Sequence, residues 1–405
     1  MVLKRPFSCA TAVYVKADHE ATLAKILGSK RWALVTSQGW VCRSLDERLE
    51  RSIGRPQATL FDVPPNPKIS DVLALASKLP EVDTVVAVGG GSVLDAAKGI
   101  VTLKALKDQR EPFLQHLLQG VPLPLELTPM PMIAVPTTSG TGSEVTQWGT
   151  IWGEDGSKHS LSHKALAPEY AVLDPVLCVS MPEWITVASG LDAISHAMEA
   201  IWNRNHSPIT DEFAVAAIRL LREGLATVVR NPNDTLLRGR VQLGALLAGL
   251  AMGTTQPAVA HSISYPFTSK FDIPHGIACS FTLGEVAAYN IEAAPDRLDV
   301  LAQAMDCPRI DLVDQIYHWL DTFGVAARIR KHVTVDAIDS FSDDLITPAR
   351  AANNIRDIDG AGAKVLAARA LDRLGRTDSI AFRQSKTATI AFGKNRGNTN
   401  ASRTS

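Results

Sequence analysis

A chain of 405 residues is too long for one ordinary hydrophobic core and suits two domains. Lysine and arginine number 41 against 42 aspartates and glutamates, so no net field draws the chain to nucleic acid or an anionic membrane. Five scattered cysteines, none in a C-x-x-C pair, indicate neither a disulfide framework nor a cysteine metal knuckle and fit a reduced, cytoplasmic protein.

Residues 1–16 hold no apolar run long enough for a secretory segment, so export is not expected. From the start to about residue 180, short β-rich runs alternate with amphipathic stretches: Trp32 to Thr36, Thr84 to Val88 and Met132 to Val135. That rhythm predicts a parallel α/β sheet. After Thr84 to Val88 comes Gly89-Gly90-Gly91-Ser92 and then a helix carrying Asp95 and Lys98. Consecutive glycines let backbone N–H groups approach an anion, and the helix N-terminus adds its positive dipole end, so a diphosphate fits. A glycine triplet alone would equally make a tight turn. A second loop, Pro136 to Glu144, packs Thr137, Thr138, Thr141 and two glycines behind the next strand, at the sheet edge where open α/β folds bind ligands. Two such loops on successive strands favour a nucleotide cleft, although the usual G-x-G-x-x-G fingerprint is absent.

Beyond Met181 the pattern turns to long Ala- and Leu-rich segments of helical period, Asp211 to Val229 and Thr235 to Met252, broken at Asn231-Pro232-Asn233-Asp234. The longest apolar stretch, Val241 to Met252, falls short of the roughly 20 residues a membrane span needs. Residues 1–180 are therefore read as an α/β dinucleotide-binding domain of Rossmann-like type, and 181–383 as an all-helical metal and substrate domain. Residues 384–405, rich in Lys, Thr, Asn, Ser and Gly, are expected to be a disordered tail.

In the helical half, Asp192 and His196 lie four apart, which places carboxylate and imidazole on one helical face. His261 lies in a helical context, and His275 follows in Pro274-His275-Gly276, a rigid turn that could aim a ring inward. Each alone would pass for an ion pair or a core histidine. Together, one carboxylate and three imidazoles make a donor set for Fe(II) or Zn(II).

These stretches resemble the iron-containing, or group III, alcohol dehydrogenase family, whose fold also covers dehydroquinate synthase. The resemblance rests on GGGSVLDAAKG at 89–99, PTTSGTGSEVT at 136–146, SGLDAISHAMEA at 189–200 and the His261 to His275 pair. It implies metal ligation by Asp192, His196, His261 and His275, and cofactor contacts at Gly90, Gly91, Ser92, Thr137, Thr141 and Lys158; Ser37, Asp95 and Thr138 join these candidates. It further implies NADH or NADPH as hydride carrier, a small aldehyde or alcohol as substrate, and a homodimer. Where many members place an Asp after the first nucleotide strand, this chain reads Val35-Thr36-Ser37-Gln38, so nothing repels a 2′-phosphate and NADPH is expected to be accepted. Tyr265 stands where most members carry a further histidine and is a candidate proton donor, alongside water and a ribose hydroxyl. His261 to Leu283 looks like the phosphonoacetaldehyde reductase branch, as do Arg350, Asn353, Asn354 and Arg356. A phosphonate needs fixed cations, for which Arg204, Lys270, Arg350 and Arg356 are candidates. The rivals are an iron-type dehydrogenase for another small aldehyde, a dehydroquinate synthase-like lyase, and a non-catalytic nucleotide-binding protein. The Asp192/His196 pair favours a dehydrogenase.

Overall fold

The computed structural model describes residues 6–339, 341 and 345–374; the expected tail at 384–405 lies outside them. Six strands form one parallel sheet: β1 (Ala12–Val15), β2 (Trp32–Val35), β3 (Thr59–Leu60), β4 (Thr84–Gly89), β5 (Met132–Pro136) and β8 (Tyr170–Leu173), in the order β1-β8-β5-β4-β2-β3. A separate antiparallel hairpin pairs β6 (Trp148–Trp152) with β7 (Lys158–Ser162).

The central strand β4 shows why the sheet forms. All six of its residues are buried, as befits a parallel strand covered on both faces. Its side chains alternate: Val86 and Val88 pack with Leu23, Leu45 and Leu49 on one face, while Val85 and Ala87 pack with Val72, Ala97 and Ile100 on the other.

From Glu183 onward every regular element among the described residues is helical. The long helices run Glu183–Ile201, Pro208–Arg230 and Thr235–Thr255, each of the last two reaching slightly beyond its expected span. Ser207 caps the first of that pair in a capping box with Thr210, with proline at the first helical turn. Asp234 caps the next by accepting from the backbone N–H groups of Leu236 and Leu237, so the expected break at 231–234 is a C-cap followed by an N-cap. No single described helix is long and apolar enough to cross a membrane; the Thr235–Thr255 and Val259–Phe271 pair passes only when taken together, across a 107° bend.

Two close approaches fix the packing around the site, the first between the halves and the second within the helical one. Gly142, at φ +62°, lies so near the Thr235–Thr255 helix that a Cβ there would sit 2.4 Å from the Gly249 Cα. A Cβ on Gly276 would come within 1.8 Å of the Ala188 carbonyl oxygen, so the short helix His275–Ser280 can touch the Glu183–Ile201 helix only because residue 276 has no side chain.

Candidate metal and cofactor site

The glycine-rich loop stands at the carboxyl end of β4, where Gly90 caps the helix Gly91–Ala105. Gly91, Ser92, Asp95, Thr141 and Lys158 line a cleft of about 650 Å³ that also reaches Asp192 and His275. Thr137 donates its backbone N–H to the Gly89 carbonyl, joining the two phosphate-side loops, and the Thr138 side chain packs against Gly90. Ser37 bridges to Asp62 at the start of a short helix and is not part of the cleft wall. Asp95 accepts from the Ser143 hydroxyl at 2.7 Å and the Thr150 N–H at 2.9 Å, and burial raises its carboxyl above the usual range. Lys98 is fully buried and donates to the Ser143 carbonyl and hydroxyl and to the Thr146 and Trp148 carbonyls. Burial pulls its ammonium down to about 8. Asp95 and Lys98 thus clamp the 143–150 segment to the phosphate-side helix.

A smaller pocket of about 120 Å³ continues inward, sharing Thr141, Lys158, Asp192 and His275 with the cleft and adding His196, His261, Tyr265 and Arg350. At its floor three imidazoles surround one carboxylate oxygen. Asp192 Oδ1 lies 3.5 Å from His261 Nε2, 3.8 Å from His196 Nε2 and 4.0 Å from His275 Nε2. A four-coordinate ion with bonds of about 2.0–2.2 Å sets its ligand atoms roughly 3.4 Å apart, so this spacing suits one small cation. The donors also need one. Asp192 Oδ1 and His261 Nε2 are buried with no hydrogen-bond partner, and two such orphans facing each other at 3.5 Å are what a bound cation would satisfy.

The helix Glu183–Ile201 carries Asp192, His196 and Glu199 at i, i+4 and i+7, one buried stripe. Glu199 accepts from His261 Nδ1 at 2.7 Å and from the Ala258 and Ala260 backbone N–H groups. That bond puts the His261 proton on Nδ1 and turns the Nε2 lone pair toward Asp192. Glu199 was quoted in the motif at 189–200 but given no role; the seven-residue spacing from Asp192 is the signal that finds it. Burial pushes His196 down to about 4, so its imidazole is neutral and free to coordinate. Burial opposes ionisation of Asp192, but His196, His261 and His275 outweigh it and keep the carboxylate charged.

Cys279 also enters the cluster, its Sγ 3.5 Å from His275 Nε2. Its four-residue spacing from His275 is a sequence signal that a search for C-x-x-C pairs passes over, and the fold then brings it to Asp192 and His261. Tyr265 lies beside His275, ring centroids 6.0 Å apart. Lys158, at the start of the hairpin strand β7, reaches 3.4 Å from His275 Nε2 and sits over the Tyr265 ring. Expected at the cofactor, it stands where cleft and inner pocket meet.

Of the four candidate anion-binding cations, only Arg350 lines the inner pocket, where it donates to the Ser160 hydroxyl. The other three are not brought to the site, because local partners hold them. Arg204 pairs with Asp357, Arg356 donates to Glu292 and the Tyr289 carbonyl, and Lys270 lies over the Phe341 ring. Asn353 and Asn354 are structural ties: the first donates to the Pro257 carbonyl and the second exchanges hydrogen bonds with Asn290. A larger cavity of about 970 Å³, around His19 and Asp174 at the carboxyl ends of β1 and β8, contains none of the candidate residues.

A parallel sheet presenting two phosphate-type loops to an Asp-His₃ cluster on a helical half is an arrangement suited to holding a metal ion beside a dinucleotide. Residues 11–175 match the model for iron-containing alcohol dehydrogenase, and residues 186–386 match that for the C-terminal part of the Fe-containing alcohol dehydrogenase family. The chain belongs to the iron-containing alcohol dehydrogenase family. It is 34% identical to long-chain-alcohol dehydrogenase 1 of Geobacillus thermodenitrificans over 69% of this chain and 71% of that one. It is 35% identical to the probable alcohol dehydrogenase EutG of Salmonella typhimurium over 64% of this chain, a match spanning 65% of that relative's own length. Among solved structures, sulfoacetaldehyde reductase from Bifidobacterium kashiwanohense in complex with NAD+ superposes with a TM-score of 0.81 at 26% identity, over 92% of this chain and all of that one. The iron-containing alcohol dehydrogenase from Thermococcus thioreducens shares the fold at a TM-score of 0.83 and 22% identity, over 91% of this chain and all of that one.

Proposed function

We propose that the protein is an NAD(P)-linked, metal-dependent alcohol dehydrogenase working as an aldehyde reductase. One observation carries this: the convergence of three imidazole nitrogens on Asp192 Oδ1 in a pocket continuous with the cleft of Gly91 and Ser92. Asp192, His196, His261 and His275 would hold iron, and the same donors suit zinc. When bound, such an ion acts as a Lewis acid toward an aldehyde oxygen. The chain's own residues do the rest. Glu199 fixes the His261 tautomer, the loops at Gly91 and Thr141 orient the dinucleotide, and Tyr265, with Lys158 over its ring, lines the inner pocket as a candidate proton donor beside water and a ribose hydroxyl.

The substrate we favour is phosphonoacetaldehyde, reduced to 2-hydroxyethylphosphonate as a step of phosphonate biosynthesis. Lys158 and Arg350 both face the inner pocket, and a small aldehyde with a doubly charged tail would find two cations there. The sulfoacetaldehyde reductase neighbour supports this reading, since its named substrate is also a two-carbon aldehyde bearing an oxyanion group. NADPH is proposed as an accepted cofactor because the stretch Val35-Thr36-Ser37-Gln38 carries no carboxylate of the kind that repels a 2′-phosphate in many family members.

The test is a panel of aldehydes assayed with NADH and NADPH after anaerobic Fe(II) loading. The expected result is a kcat/KM for phosphonoacetaldehyde well above that for propanal. Arg350→Ala should raise KM for the phosphonate roughly tenfold to a hundredfold and leave propanal unchanged. Equal efficiency on charged and uncharged aldehydes refutes the substrate, and a strong preference for NADH refutes the cofactor reading.

A further inference from the structure

Five side chains, not four, gather at the donor cluster, Cys279 lying behind the four that line the inner pocket. His275 and Cys279 are i, i+4 on the short helix His275–Ser280 and share one face of it. Cys279 is fully buried, with its sulfur 3.5 Å from His275 Nε2 and 3.2 Å from the Ser264 hydroxyl. One donor atom from each of Asp192, His261, His275 and Cys279 lies within 4.8 Å of all the others. Two of those groups, Asp192 at 5% exposure and His261 at 1%, carry the orphaned Oδ1 and Nε2 described above. The sulfur therefore lies within reach of the unpartnered donors, while its S–H is donated to the Ser264 hydroxyl. The clustered donors include neither Cys9, Cys42, Cys178 nor Cys307.

Building on the metal site of the proposed function, we propose that Cys279 is a further protein donor at that site. It supplies a second ligand set, Asp192–His261–His275–Cys279, which shares three members with the His196 set and favours thiophilic ions such as zinc and cobalt. A four-coordinate ion with sulfur at about 2.3 Å and nitrogen or oxygen at about 2.0–2.2 Å places neighbouring donors roughly 3.3–3.7 Å apart. The 3.5 Å separations of Cys279 from His275 and of His261 from Asp192 fall in that range. Sulfur binds as thiolate, so its proton is released to solvent when the ion enters. A soft sulfur discriminates between metals where imidazole and carboxylate accept many alike, which makes Cys279 a determinant of metal choice.

Cobalt(II) reports on sulfur directly. The full-length protein is stripped with chelator, loaded with Co(II), and its absorption recorded for wild type and Cys279→Ser. The expected wild-type spectrum has visible d–d bands and, in the near ultraviolet, a sulfur-to-cobalt charge-transfer band. Cys279→Ser should keep the first and lose the second, and its zinc affinity, measured by competition with a chromophoric chelator, should fall about tenfold or more while iron affinity changes less. Visible bands without the charge-transfer band in wild type overturn the proposal and leave the metal site standing. A charge-transfer band that persists in Cys279→Ser overturns it too. Absence of both band systems in wild type removes the metal site itself and this proposal with it. A wild-type spectrum without the charge-transfer band overturns the proposal whatever the variant does, so a poorly folding variant does not rescue the idea.

Discussion

His261 is the residue on which the site turns, because both its nitrogens are committed. Nδ1 is held by Glu199 and Nε2 points at Asp192 with no partner of its own. His261→Ala should therefore abolish stoichiometric metal and turnover together, as measured by metal analysis and NAD(P)H consumption; full activity of a metal-free variant would refute the site. Glu199→Gln keeps the shape but removes the charge that holds the His261 proton. Metal affinity should drop about 10- to 100-fold, read by chelator competition, with the fold intact by circular dichroism. An unchanged affinity would reduce Glu199 to a backbone anchor for Ala258 and Ala260. At this scale the sequence was informative where one helix carries the pattern: the spacing of Asp192, His196 and Glu199 is a stripe that can be counted. It was uninformative for Arg204, Lys270 and Arg356, because where a long cationic side chain ends depends on partners such as Asp357, Glu292 and Phe341 that lie far off in the chain or come from other elements. Cys279 stands four residues after His275, a spacing as countable as that of Asp192 and His196, but its approach to Asp192 and His261 depends on the fold.

Among elements, the contact between the helices Glu183–Ile201 and His275–Ser280 sets how closely His275 approaches Asp192. Gly276→Ala would drive a methyl into the Ala188 carbonyl, and relief requires the short helix to move. We expect a loss of about 1–3 kcal/mol in unfolding free energy and a weaker metal site in the same variant; an alanine variant with wild-type melting and metal affinity would show the contact to be slack. The loop at 143–150 supplies a pH test. Burial raises the Glu144 carboxyl to about 7, above its ordinary value of 4.5. The folded chain then binds that proton more readily than the unfolded chain does. Glu144 thus supports the fold fully below about pH 4.5, and the support is lost as pH rises through about 7. Glu144→Gln should flatten the stability profile across that window by about 1–3 kcal/mol, measured by denaturant titration at several pH values. An unaltered slope would assign the dependence elsewhere. The strands β2, β4 and β5 and the helices flanking 231–234 follow from period and capping, which are local. The hairpin β6–β7, which carries Lys158 to the site, pairs residues of mixed polarity whose register no alternation announces.

For the molecule as a whole, the metal donors come from three helices, Glu183–Ile201, Val259–Phe271 and His275–Ser280, so an ion at the cluster crosslinks elements scattered over more than 80 residues of chain. Chelator should lower the melting temperature by at least about 2–4 °C, and readdition of Fe(II) or Zn(II) should restore it; identical melting with and without metal would mean that the cluster is held rigid by packing alone. The abutment of Gly142 on Gly249 and of Gly276 on Ala188 also has a practical side. At these places main chain lies against main chain, so no choice of side chain can widen the chamber from there. Any reshaping of the pocket for a bulkier ligand has to begin at lining side chains with no proposed role, such as Trp148 and Met252, and leave the glycine seams untouched.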